Sequence, residues 1–266
     1  MKTRRLAPVG LSVLAAAVLA ITGCTTSSTP SAPPAASASA SATGATPAAK
    51  DALLSSIDPL TKTSYKYTLT SSGLTGQGAN DPANKKATLT LSGQQQSNSI
   101  TINVVVLATD MWMKLNLGTN NNNLNISTDK WFHVDATKLG ANPNLPVDPN
   151  GAANTANLLT GAVDVQRADA RHFSGTLDLT KGTNNNMLGQ PDIDRLATKL
   201  KAVPFTATTD DQGRLSELKI DLAAVDPALS AVQSTYSDYG TTVTVTRPDP
   251  AQVVEAPDSV YQLFKK

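Results

Sequence analysis

The chain has 266 residues, and its 22 Lys and Arg against 21 Asp and Glu leave a formal net charge of +1. That balance gives no electrostatic drive toward nucleic acid or a strongly anionic partner. A single cysteine excludes an internal disulfide, and by itself it cannot build a metal site.

The N-terminus has the layout of an export signal. Lys2, Arg4 and Arg5 form a charged region, and residues 6–21 are a run of Leu, Val and Ala. The run is too short and alanine-rich for a membrane span, which needs about 20 apolar residues, but it suits the core of a signal peptide. Arg4-Arg5 lies in surroundings that match a twin-arginine signal poorly, so general secretion is expected. The junction Ile21-Thr22-Gly23-Cys24 resembles the bacterial lipobox, in which an aliphatic residue and two small ones precede a lipidated cysteine. The expectation is therefore a signal peptide over 1–23 and a diacylglyceryl group on Cys24. Two or more acyl chains hold a protein stably at a bilayer, so the mature protein is expected on the outer face of the plasma membrane. Residues 24–49 continue as Ser, Thr, Ala and Pro ("TTSSTPSAPPAASASASATGATPAA") without a large apolar side chain, which predicts a flexible tether.

The remaining residues, 50–266, are enough for one domain with a real core. A short helix is predicted over 50–60, with Leu53, Leu54 and Ile57 on one side. After it the apolar period becomes two. Tyr65, Tyr67 and Leu69 alternate with polar residues, as do Leu89 and Leu91, then Ile100, Ile102, Val104 and Val106, then Met111, Met113, Leu115 and Leu117. Phe173, Leu177 and Leu179 repeat the pattern, followed by Leu218, Ile220 and Leu222, and Val243 and Val245 among threonines. Such alternation predicts antiparallel strands with one apolar and one wetted face. Turns are expected at Asp110 and at "DDQG", 210–213. A helix is predicted over 152–159. A second opens at Pro191, carries the stripe Ile193, Leu196, Ala197 and Leu200, and closes at Lys199 and Lys201. The fold class is α+β: a large antiparallel sheet whose helices cover its apolar face.

Several stretches are similar to mycobacterial lipoproteins of the LppX/LprA/LprF/LprG family. These are "TDMWMKLNLG" with "DKWFHVD", "RHFSGTLDLT", and 203–253, above all "SDYG-x-x-VTVTRP" at 237–248. The resemblance covers most of the domain but rests on strand patterns, and the asparagine-rich loops depart from the better-known members. It implies a strongly curved antiparallel half-barrel, similar to the LolA-like lipid carriers. Its helices pack on the concave face and enclose an apolar cavity for acylated lipids or glycolipids. It also implies transfer of such lipids from the membrane toward the outer envelope, with an envelope transporter as a partner. The residues expected to line the cavity are Leu91, Ile102, Val104, Val106, Met113 and Leu115 in the first half, then Phe173, Leu177, Leu196, Leu200, Leu218 and Ile220 in the second. Alternation alone favours a solidly packed sheet-on-helix core, and only the resemblance points to a cavity. A non-carrier envelope module that binds a protein or glycan is therefore the alternative.

Nothing in the pattern suggests catalysis. His133 and His172 lack metal-ligand spacing, and no G-x-S-x-G elbow or glycine-rich phosphate loop occurs. Asp192 with Asp194 reads as helix-start chemistry, and Asp210 with Asp211 as turn chemistry. No enzyme activity, metal or cofactor is expected. Two similar runs, "GTNNNNL" from Gly118 and "GTNNNML" from Gly182, are expected to be surface loops or to flank a cavity mouth. Trp112 and Trp131 are expected at partly buried strand positions or at a rim.

Overall fold

Alternating residues pair into a curved, unclosed sheet of twelve strands. The computed structural model describes residues 46–95, 98–119, 121, 126–135, 138–139, 147, 153–180, 188 and 190–262. The expected signal peptide, Cys24, most of the tether and most of both asparagine runs lie outside them. All the described residues belong to one compact unit, Ser41–Lys266.

The first half is a meander of β1 (Tyr65–Ser71), β2 (Leu74–Asp81), β3 (Lys86–Gln95), β4 (Asn98–Leu107), β5 (Asp110–Asn116) and β6 (Trp131–Asp135). The second is a meander of β7 (Ala162–Arg167), β8 (His172–Leu177), β9 (Val203–Thr209), β10 (Leu215–Ile220) and β11 (Val232–Ser237). The halves join where β1 pairs with β11, so β7 forms one edge. At the other edge β12 (Val253–Glu255) runs parallel to β6, the one departure from the expected antiparallel sheet among the described residues. Turn chemistry sets the hairpins. Ser72 and Gly73 take positive φ (46° and 79°) between β1 and β2, as a tight right-twisted hairpin requires. Between β9 and β10 the Asp210 carboxylate accepts from the Gln212 and Arg214 N–H groups, both at 2.9 Å.

Five helices accompany the sheet among the described residues: α1 (Thr46–Ser55), α2 (Asp58–Lys62), α3 (Ala153–Thr160), α4 (Gln190–Leu196) and α5 (Asp258–Gln262). The single helix expected over 50–60 is two. It starts earlier, with Ala49 already buried, and Pro59 restarts it at the beginning of α2. Lys50 ties α1 to the β7 edge by donating to the Thr160 and Ala162 carbonyls at 2.9 and 2.8 Å. The helix opening at Pro191 breaks after Leu196 and resumes as a 3₁₀ turn, Lys199–Ala202, which buries Leu200.

Other expectations are corrected. Leu222 begins a 3₁₀ turn after β10 instead of extending it. Val243 and Val245 lie in no strand: residues 238–249 run without a ladder partner, although Val243 is buried. Strands β2, β7, β11 and β12 had no alternation signal strong enough to predict them, and β9, where Val203, Phe205 and Ala207 alternate inward, was not assigned.

The apolar interior forms two clusters. One combines β7–β11, Tyr65 of β1 and α1–α4; the other combines β3–β6 with Val260 and Tyr261 of α5. They meet at Tyr67, which packs against both. The division falls at β2, whose apolar face presents Gly76 and Gly78. At Gly78 an added Cβ would lie 2.1 Å from the Thr88 carbonyl oxygen and 2.6 Å from the Tyr67 hydroxyl. The Tyr67 ring occupies that space, and its hydroxyl donates to Thr88 O at 2.9 Å.

Candidate functional site

Side chains on the apolar face follow the ladder register. Val104 opposes Met113, Val106 opposes Met111, and Ile102 opposes both Leu91 and Leu115. Val104, Val106, Met113 and Leu115 are buried in the second cluster. Phe173, Leu177, Leu196, Leu200, Leu218 and Ile220 are buried in the first. The twelve expected cavity residues are thus split between two packed groups. Leu91 and Ile102 differ from the others in being only half-buried.

Those two continue a strip that sequence reasoning did not assemble. Leu69 of β1 and Leu91 of β3 both oppose Gly76 of β2, and Leu69 is half-buried too. Leu74 and Ile100, near the same ends of their strands, are also half-buried. The missing side chain at Gly76 lets its neighbours lean in: an added Cβ would touch Leu91 at 3.3 Å and Leu69 and Leu89 at 3.4 Å. The available signal was the pair of glycines two residues apart in "LTGQGAND", since glycine within a strand marks close approach. Leu69, Leu91 and Ile102 carry no polar atom, so this strip offers dispersion contacts and apolar burial.

The opposite face is polar. Lys66, Thr68, Gln77, Thr88, Thr90 and Ser237 line a shallow groove of about 410 Å³ across β1–β3 and β11. Farther along, Trp112 is 1% exposed although its strand neighbours Met111 and Met113 point to the apolar side. It is covered by His133 and by Arg247 of the ladderless segment 238–249. Gly240 N–H donates to Ser64 O at 2.8 Å, and the Arg247 guanidinium stacks 4.8 Å from the Trp112 ring centre. Trp131 remains half-buried.

Both histidines lie on this polar side. His133 stacks beside Trp112, its Nδ1 3.1 Å from Glu255 Oε1 and its Nε2 3.1 Å from Asp110 Oδ1. Partial burial opposes its charged form, but the hydrogen bonds to Glu255 and Asp110 outweigh that and raise its pKa above the ordinary value. His172 is exposed and bonds Asp169 at 2.8 Å. The Asp169 carboxylate accepts from the Arg171 N–H, the His172 side chain and the His172 N–H, which lowers its pKa to about 2.

The acidic pairs and the described part of the first asparagine run have local structural roles. Asp192 pairs with Arg195 at 2.7 Å in the first turn of α4, and Asp210 holds its own turn. In the first asparagine run, Asn121 accepts from the Leu117 N–H at 2.8 Å and donates to Asn116 Oδ1 at 2.9 Å, which organises the end of β5. Among the described residues, no group of three or more His, Cys, Asp or Glu is placed to hold a metal ion. No helix there is long and apolar enough to cross a membrane. No family model matches this chain, and no curated protein matches it either.

Proposed function

We propose that the protein is a lipid-anchored envelope lipoprotein that binds the acyl chains of a lipid or glycolipid and carries them between membrane and outer envelope. The observation that carries this reading is the half-buried strip Leu69, Leu91 and Ile102, seated between two packed clusters at the glycine-floored β2. The lipobox-like Ile21-Thr22-Gly23-Cys24 and the resemblance to the LppX/LprA/LprF/LprG family support it. In this reading the helices cover the apolar side of the sheet, and an acyl chain completes the cover over β1–β4. Each methylene taken from a bilayer costs about 0.8 kcal/mol, so the strip must return most of that for every carbon it accepts.

The test is native mass spectrometry with lipid extraction on the protein purified from an actinobacterial host. Stoichiometric acylated lipid is the expected result. A ligand-free protein that also takes up no acylated probe would overturn it. The polar groove over β1–β3 favours a second reading, in which the wetted face binds a glycan or an envelope protein while the interior stays filled. Retention on immobilised envelope glycan by a lipid-free protein, lost in Gln77→Ala, would select that alternative.

A further inference from the structure

The end of the described chain is wrapped around the sheet edge. Segment 238–249 passes from Ser64, at the start of β1, to Trp112 on the polar side of β5. β12 then docks on the edge strand β6 through three residue pairs, extended by Ala256 N–H donating to His133 O at 2.9 Å. Beyond it, α5 lies on the other side, with Val260 and Tyr261 buried in the same cluster as Val104, Met113 and Phe132. The Asp135 N–H donates to the Tyr261 hydroxyl at 3.0 Å. α5 therefore covers part of the β3–β6 half of the apolar face, beside Ile126, Leu139 and Val147, and the three-residue parallel ladder of β12 is a weak hinge for such a cover.

One side chain joins that cover to the sheet on the polar side. His133 lies between Asp110 of β5 and Glu255 of β12, a carboxylate at each ring nitrogen. Only the imidazolium has two N–H groups, so only the charged form donates to both; the neutral ring turns a lone pair toward one carboxylate. The other charged groups nearby are Asp135 on the same face of β6, Lys114 along β5, and Arg247 stacked on Trp112.

We propose that residues 253–262 are a lid, β12 as its hinge and α5 as its cover on part of the β3–β6 apolar face, latched by the Asp110–His133–Glu255 bridge and released as His133 loses its proton. Because the folded pKa of His133 is raised, the latch is complete below the unfolded value of about 6.5 and is lost as pH rises through the folded value. The proposal rests on the acyl-binding reading only for what the opened lid would admit.

Amide hydrogen exchange of the full chain at about pH 5.5 and about pH 8, corrected for intrinsic rates, tests it. The local opening constant over 253–262 should rise about threefold toward the higher pH, the scale of a partly exposed ion pair, while β3 and β4 stay unchanged. His133→Gln should abolish the pH response, and Glu255→Gln, at an exposed position, should reduce it while leaving the fold intact. His172→Gln, outside the bridge, should keep it. An opening constant equal at both pH values, or a response that survives His133→Gln, overturns the latch. Opening that occurs only together with β3 and β4 overturns the lid. These readouts need no lipid, so a protein that never co-purifies lipid would fail the functional reading and leave the lid decided by exchange alone.

Discussion

At the residue scale, burial and partners separate side chains that look alike in the sequence. Trp112 and Trp131 both sit at polar-facing strand positions, yet only Trp112 is closed off, by Arg247 and His133. Trp112→Ala should therefore cost about 3–5 kcal/mol in urea unfolding. Arg247→Ala should cost about 0.5–1 kcal/mol, since it removes an exposed cation–π contact. Glycines divide in the same way. At Gly213, φ is +75° and an added methyl meets nothing within 4 Å, so Gly213→Ala pays only a backbone cost of about 1 kcal/mol. Gly78→Ala forces a methyl into Thr88 O and the Tyr67 ring and should cost about 1–3 kcal/mol by shifting β2. Asp169 supplies a pH test. Its carboxyl should titrate near 2 by NMR, so the stability it contributes is present above the unfolded value of about 3.9 and disappears as pH falls through about 2.

At the element scale, β2 is the pivot of the molecule. Its two inward glycines divide the interior into two clusters and leave Leu69, Leu91 and Ile102 partly uncovered. A paired substitution separates packing from binding. Val104→Trp enters a filled cluster and should destabilise by about 1–3 kcal/mol. Leu91→Trp enters the half-open strip and should leave the unfolding midpoint nearly unchanged while abolishing uptake of an acylated probe. Equal loss of stability in both variants would mean the strip is as filled as the clusters. The strands most visible in the sequence, β1, β3, β4, β5, β8 and β10, carry strict alternation on a half-wetted sheet. Strand β2 was not visible, because glycines replace the apolar members of its pattern. Strand β12 was missed because three residues are too few to show a period.

At the scale of the whole molecule, two meanders meet at β1 and β11; the chain crosses from the β6 side to the β7 edge before the second meander, and from β11, in the middle of the sheet, to β12 at the β6 edge after it. The second crossing leaves Tyr239 against the β7–β11 cluster, brings Arg247 over Trp112 on the polar side and ends with α5 on the apolar side. Removing residues 253–262 should therefore expose the β3–β6 cluster. Increased binding of a hydrophobic dye, with the β7–β11 amides still protected from exchange, is the expected outcome.

Sequence alone determined the strand character and the apolar side of β1, β3, β4, β5, β8 and β10, and the turn at Asp210, because these depend on residues within a few positions of one another. It also carried the lipobox-like motif at Cys24 and the Ser, Ala and Pro composition of residues 25–49, which are read from local chemistry. Tertiary structure decided what lies opposite what. The β1–β11 junction, the burial of Trp112 under Arg247 and the placing of His133 between Asp110 and Glu255 join residues more than 100 positions apart or on separate strands. No periodicity encodes such meetings. They follow from strand order, and strand order is set by how the two meanders bury their apolar faces together.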